Sequence, residues 1–289
     1  MDSVVRKLFV LDGGLLELDA SVMVSGDRLG TRIRIPVQMF LAETSKGYIL
    51  IDTGNNPDVI DDAEKAWGVQ LARAATPIMT PENHPYAQLK LLGLSADDIK
   101  MVIYTHLHHD HCGGARFFPD ALHVVQKAEY RWVSYPDRFS TAPYVPYDYG
   151  HQNLRWQLAE GDWCIMPGIH LISTPGHTPG HQSIALYDIP ESGTVILTGD
   201  AVNCQANIAT DTPGGITSDA TAAVASLHRL TALARATDAR VIVSHDLAVF
   251  ERTPKAPQSI GRLSEDFYSF CEHGVKTLYG QAANPDSLI

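Results

Sequence analysis

The sequence predicts an α/β fold in which sheets pack between helices. Two observations predict it. Short apolar runs bounded by Gly, Pro, Asp or Asn recur along the 289 residues, as strands do. Between them lie segments whose apolar residues return at helical spacing. In chain order, the runs at 8–11, 36–42 and 48–51 read as strands. A helix is expected around 59–75, before the prolines Pro77 and Pro81. A short helix at 86–92 stops at Gly93. Strands follow at 101–104 and 123–125, then a helix at 126–134. Four more strands are expected at 170–173, 183–187, 194–197 and 240–243. The clearest helix is 219–237, where Ala, Val and Leu repeat and Ser218 or Asp219 can cap the first turn. No repeat, low-complexity tract or flexible linker divides the chain, so residues 1–289 read as one domain.

Composition excludes several classes. A formal net charge of −11 argues against a nucleic-acid surface, which needs clustered Lys and Arg. No apolar stretch is long enough to span a bilayer. The segment Met1-Asp2-Ser3-Val4-Val5-Arg6-Lys7 lacks the apolar core of a secretion signal, so a cytoplasmic location is expected. Cys112, Cys164, Cys204 and Cys271 are scattered and fit reduced thiols better than a disulfide frame. Cys112 is read as a small buried residue rather than a ligand. Two stretches, 55–85 and the Pro- and Tyr-rich 135–153, are candidate walls of a substrate pocket.

The most informative run is His106-Leu107-His108-His109-Asp110-His111, directly after an apolar stretch and before Gly113-Gly114. Imidazoles and a carboxylate packed so closely suit zinc and its first-row neighbours. Four further apolar runs end in turns carrying an acid or a histidine: Asp52; His177 and His181; Asp200; His245 and Asp246. Strand-end turns are where α/β proteins gather their sites. Together these residues supply enough nitrogen and oxygen donors for two metal ions. Spacing alone does not choose between His177 and His181.

This ordered set resembles the metallo-β-lactamase superfamily, whose signature is His-x-His-x-Asp-His, a histidine in a Thr-Pro-Gly-His turn, an aspartate after a strand, and a late histidine. The resemblance covers roughly residues 5–250. It implies a four-layer αβ/βα sandwich with the metal site at strand ends along one edge. It implies that His106, His108 and His177 hold one divalent ion, and Asp110, His111 and His245 a second, with Asp200 bridging. Zinc is the implied metal, with iron, manganese and cobalt as alternatives. His181 is left to support a ligand or to pack, and Asp52 to orient one. His109 either lines the pocket or is exposed without function, and Asp246 either orients a ligand or caps a helix.

Within the superfamily the fuller pattern looks most like N-acyl-homoserine lactonases. Pro36-Val37, Leu41-Ala42-Glu43-Thr44, Gly47 to Gly54, Thr105 to His108, Glu160-Gly161-Asp162, Thr174 to Ser183 and Ser244-His245-Asp246 carry that likeness. It implies attack of a metal-bridging hydroxide on a lactone carbonyl, with Asp110 moving the proton to the ring oxygen. Some lactonases of this group place a tyrosine three residues after the bridging aspartate. Here that position is Asn203. Tyr144, Tyr147 or Tyr149 is the candidate replacement. The implied partner is a small-molecule lactone, with no nucleic acid and no membrane, and a homodimer is left open. A glyoxalase II-like thioesterase and a mononuclear iron persulfide dioxygenase use overlapping residues and stay as alternatives, as does a metal-binding protein without catalysis.

Overall fold

The computed structural model describes residues 4–261. The first sheet begins with the antiparallel strands β1 (Val5–Asp19), β2 (Arg32–Thr44) and β3 (Gly47–Ile51). Helices α1 (Val59–Trp67) and α2 (Val69–Ala74) then lead to β4 (Thr76–Ile78), which pairs back on β1. After α3 (Pro85–Lys90) come β5 (Ile99–Ile103), α4 (His109–Cys112), β6 (Leu122–Gln126), α5 (Lys127–Ser134), α6 (Pro146–Tyr149) and β7 (Arg155–Ala159). The strand order is β4-β1-β2-β3-β5-β6-β7, with the β3 to β7 pairings parallel. The second sheet holds β8 (Trp163–Met166), β9 (Ile169–Ser173), β10 (Gln182–Ile189), β11 (Gly193–Leu197) and, after α7 (Gln205–Thr210) and α8 (Ala220–Thr237), β12 (Arg240–Ile242). Its order is β12-β11-β10-β9-β8, and α9 (Leu247–Arg252) follows.

The period-2 alternation of these strands builds the four layers. In β2, Phe40 and Ala42 enter the core between the sheets, while Met39 and Leu41 face the opposite side. There they pack with Leu89 of α3, Val133 of α5 and Phe118. In β11, Val195 and Leu197 join the inter-sheet core, and Ile196 packs with Leu227, Leu230 and Ala234 of α8. Strand segments buried on both faces are mostly apolar, which is why they read as near-continuous runs. The αβ/βα layering is therefore as expected. Asp219 caps α8, accepting a hydrogen bond from the amide of Ala222.

Three strands lie outside the expected runs: β4 and β7, which mix polar and apolar residues, and the four-residue β8. Each is the outermost strand of its sheet, covered by one neighbour and only partly buried. The helix expected over 59–75 is instead two helices. Gly68 breaks it with φ 83° and ψ 153°, a backbone region closed to residues with a Cβ. No helix among the described residues is long and apolar enough to cross a membrane. Cys112, Cys164 and Cys204 are free thiols, whereas Cys271 and His273 lie outside the described residues.

Asp148 on α6 is a buried acid whose Oδ1 accepts from Asn56 Nδ2 at 2.9 Å and whose Oδ2 has no partner. Burial pushes its carboxyl up to about 8. A raised carboxyl favours the neutral folded form. Its contribution to stability is complete below the unfolded value near 4 and is lost as pH rises through about 8. Asp148→Asn, neutral at every pH, should therefore melt increasingly above the native protein as pH rises across that window. Paired thermal melts from acid to mildly alkaline pH check this; a constant gap would refute it.

Candidate metal centre

The chemistry-bearing side chains sit where several strands end on one edge of the sandwich. Asp52 follows β3, the His106 to His111 run follows β5, His177 follows β9, Asp200 follows β11 and His245 follows β12. After β5 the chain turns through Thr105 and His106, and then α4 forms a single helical turn. In that turn the amides of His111 and Cys112 both donate to the carbonyl of His108. One turn of helix sets Asp110 and His111 beside the two histidines that precede it. His106, His108, Asp110, His111, His177, Asp200 and His245 are all buried.

Three groups of these side chains have donor atoms within 4.8 Å of one another: His106, His108 and His177; Asp110, His111 and His245; and His106, His111 and Asp200. Asp200 connects them. Its Oδ1 lies 3.0 Å from His245 Nε2 and 3.2 Å from His111 Nε2, and its Oδ2 lies 3.4 Å from His177 Nε2. His177 Nε2 is 3.0 Å from His108 Nδ1. Ligand atoms sharing one tetrahedral zinc stand roughly 3.3 Å apart. His106 Nε2, His111 Nε2 and Asp200 Oδ1 are buried without a well-aligned hydrogen-bond partner. Buried polar atoms left this way carry a desolvation cost that a cation would remove. The residues present thus fit a divalent metal site.

The outward ring atoms of several histidines are held. His111 Nδ1 donates to Asp52 Oδ2 at 2.8 Å, and His245 Nδ1 donates to the carbonyl of Pro36 at 2.8 Å. Each bond fixes a tautomer with Nε2 turned inward, the usual support of a metal-binding imidazole. Asp52 adopts φ 56° and also accepts from the amide and hydroxyl of Thr105, both at 2.8 Å. Gln38 Nε2 donates to the carbonyls of Val243 and Ser244, pinning the turn that carries His245.

The charges differ across the cluster. Burial holds His106 and His108 well below the ordinary imidazole value, and His177 below it, so these rings are neutral donors. Burial works against the charge on Asp200, yet His245, His111 and His177 hold its carboxyl well below the carboxylate range. Against the same burial, Asp200, Asp110 and Asp52 hold His111 well above its ordinary value, and Asp200 and Asp110 raise His245.

The other candidates fall in different places. His181 has both nitrogens engaged: Nε2 accepts from the Asp200 amide at 2.9 Å, and Nδ1 meets Thr174 Oγ1 at 2.9 Å. His109 is buried, not exposed; its ring centroid lies 4.4 Å from that of Trp67. Asp246 caps α9 through the amide of Val249 and also accepts from the amide of Gln205. The Asn203 side-chain NH2 is turned to the carbonyls of Val22 and Met23. Tyr147 is half exposed and accepts from Arg116, and Tyr149 donates to the Val133 carbonyl. Tyr147 packs on His151, whereas Tyr144 packs against the cluster itself, its ring 4.6 Å from that of His108. Its hydroxyl donates to Glu129 Oε1 at 3.2 Å.

A cavity of about 240 Å³ opens on His108 and His177, walled by Trp132, Phe139, Pro143, Tyr144, Pro179 and Ile216. The 135–153 stretch therefore does line it. The 55–85 stretch does not; it contributes Trp67 against His109 instead.

Sequence reasoning passed over Glu129 and Gln38. Glu129 has no exposed surface, and burial lifts its carboxyl above the ordinary value while donors from Thr178, Leu107, Tyr144 and Gly180 oppose the rise. In the sequence it is one glutamate in a short helix, with no motif around it.

An αβ/βα sandwich with a buried histidine and carboxylate cluster at its strand ends defines the class: a metal-site protein built on strand-end loops. The chain belongs to the metallo-beta-lactamase superfamily, whose model matches residues 32–245. Among characterised proteins it is similar to the N-acyl homoserine lactonase AttM of Azorhizobium caulinodans, at 33% identity over 257 residues, 87% of this chain and 97% of that one. It is likewise 33% identical to the N-acyl homoserine lactonase of Bacillus cereus over 244 residues, 84% of this chain and 94% of that one. Among solved structures, an N-acyl homoserine lactone hydrolase with N-hexanoyl-L-homoserine bound at its catalytic metal centre superposes with a TM-score of 0.81 at 30% identity, covering 90% of this chain and all (100%) of that one.

Proposed function

We propose that the chain is a metal-dependent lactonase that opens an N-acyl homoserine lactone, or a related lactone, with water. The observation that carries this reading is the placement of Asp200, one oxygen toward His111 and His245 and the other toward His177. His106, His108 and His177 would hold one divalent ion, Asp110, His111 and His245 another, and Asp200 both. Imidazole and carboxylate donors suit zinc, and iron, manganese and cobalt are compatible. Two such ions, when bound, polarise an ester carbonyl and make water nucleophilic near neutral pH. The similarity to N-acyl homoserine lactonases over most of both chains supports the lactone as substrate.

The protein's own residues position and move the proton. Asp110 is held ionised: burial opposes its charge, but His109, His111 and His245 lower its carboxyl. It is thus suited to take a proton from the attacking water and return it to the ring oxygen. The apolar cavity beside His108 and His177 suits the acyl tail. Phe139 is exposed at its rim, so its removal leaves the core intact. Phe139→Ala should lower kcat/KM several-fold for long-chain lactones and leave an unacylated lactone unchanged, at about 0.8 kcal/mol per methylene taken from water. Rates across a chain-length series check this; an equal loss at every length would refute it.

The reading itself is tested by incubating the metal-loaded protein with a panel of lactones and thioesters and following acid release with a pH dye. Release from lactones is expected. A response to thioesters alone would overturn it.

A further inference from the structure

We infer that Glu129 is a positioning residue whose carboxylate ties the loop of His106 and His108 to the turn of His177, making one metal-binding trio of two separate segments. The inference rests on the reading of that cluster as a metal site.

Glu129 lies in the first turn of α5, immediately after β6, and is fully buried. Its neighbours are all hydrogen-bond donors. Oε1 accepts from the amide of Leu107 at 3.0 Å and from the hydroxyl of Tyr144 at 3.2 Å. Oε2 accepts from the hydroxyl of Thr178 at 2.6 Å, and the amide of Gly180 also donates to the carboxylate. A site made of four donors suits a carboxylate, which only accepts.

The positions of those donors matter. Leu107 separates His106 from His108, so fixing its amide fixes the backbone of both. Thr178 directly follows His177, and Gly180 closes the same turn. A Cβ added at Gly180 would come within 1.9 Å of the Glu129 amide nitrogen, so this turn rests directly on the first turn of α5. Through Tyr144, whose ring packs on His108, the same carboxylate also anchors the wall of the apolar cavity.

The other trio is supported independently. His111 is held by Asp52, and His245 by the Pro36 carbonyl, with Gln38 pinning its turn. Loss of the Glu129 contacts should therefore be felt at one metal and not the other. A residue that merely stabilises the fold would not give that asymmetry.

The test is a cobalt(II) titration of the full-length, metal-depleted protein, read by visible absorption, for the native chain and for Glu129→Gln. The amide keeps the shape of the side chain but puts an NH2 among donors. The native chain should take up two equivalents. In Glu129→Gln one equivalent should bind about 10–100-fold more weakly, the scale of losing a group that orients a metal ligand, and the other should be unchanged. Two equivalents as tight as in the native chain, or both weakened by the same factor, would overturn the inference. Failure of the native chain to bind cobalt would overturn the metal reading beneath it. Should Glu129→Gln not fold, Thr178→Val, which removes one donor and leaves the carboxylate, is judged by the same outcomes.

Discussion

Replacing Asp200 with alanine is expected to empty most of the metal site and to lower kcat/KM by about 10³-fold or more. Among the described residues, Asp200 is the carboxylate closest to the inward nitrogens of both trios, at 3.0–3.4 Å. Without it, His106, His108 and His177 keep three neutral imidazoles, but the other trio loses its principal anion. The ion there would face His111 and His245 with Asp110 alone to neutralise it. The two trios would also lose the carboxylate that faces both, the residue that would hold two ions together to polarise a carbonyl and activate water. Metal analysis after equilibrium dialysis should show clearly less than the native stoichiometry, and initial rates on a lactone should fall with it. Full metal content and a rate within a few-fold of native would refute the role given to Asp200.

The second large effect separates metal binding from proton transfer. Asp110→Asn should retain most of the metal yet lower kcat by about 10²–10⁴-fold, the usual scale of a lost general acid or base. The Asp110 oxygens stand 3.7–3.9 Å from the nearest imidazole nitrogens, farther than those of Asp200. It is the loosest member of its trio, and its side chain retains slight exposure. Asparagine matches its shape and can still offer an oxygen to an ion, but it is not a base. The metal content and kcat of the variant, measured on one preparation, decide the matter. An unchanged kcat would exclude Asp110 as the proton carrier, whereas parallel loss of metal and rate would make it a ligand only.

Much of this molecule was legible in the order of its residues. Segments buried on both faces, such as the middles of β2 and β10, are mostly apolar, so they stood out. The edge strands β4 and β7 did not, because one covered side leaves their composition free, and β8, though apolar, is only four residues long. The dense His106 to His111 run pointed to metal because few other uses explain so many donors in so few residues. The other donors were legible as isolated polar residues after apolar runs.

What remained hidden depended on distance. His177 and His181 are equivalent by spacing; the fold places one in a trio and occupies both nitrogens of the other. Asn203 sits three residues after Asp200, yet its amide is turned to backbone carbonyls far along the chain. Glu129 has no sequence neighbour among its hydrogen-bond partners, so nothing local marks it.

The sequence by itself determined the layered α/β class, the strands at its heart and the inventory of metal-capable side chains, because periodicity and residue chemistry are local properties. Only the tertiary structure decided which nitrogen faces which carboxylate, which tyrosine reaches the histidines and which buried acid braces them. Those choices rest on contacts between residues tens to hundreds of positions apart, and a hydrogen bond's dependence on distance and angle cannot be read before the chain has folded.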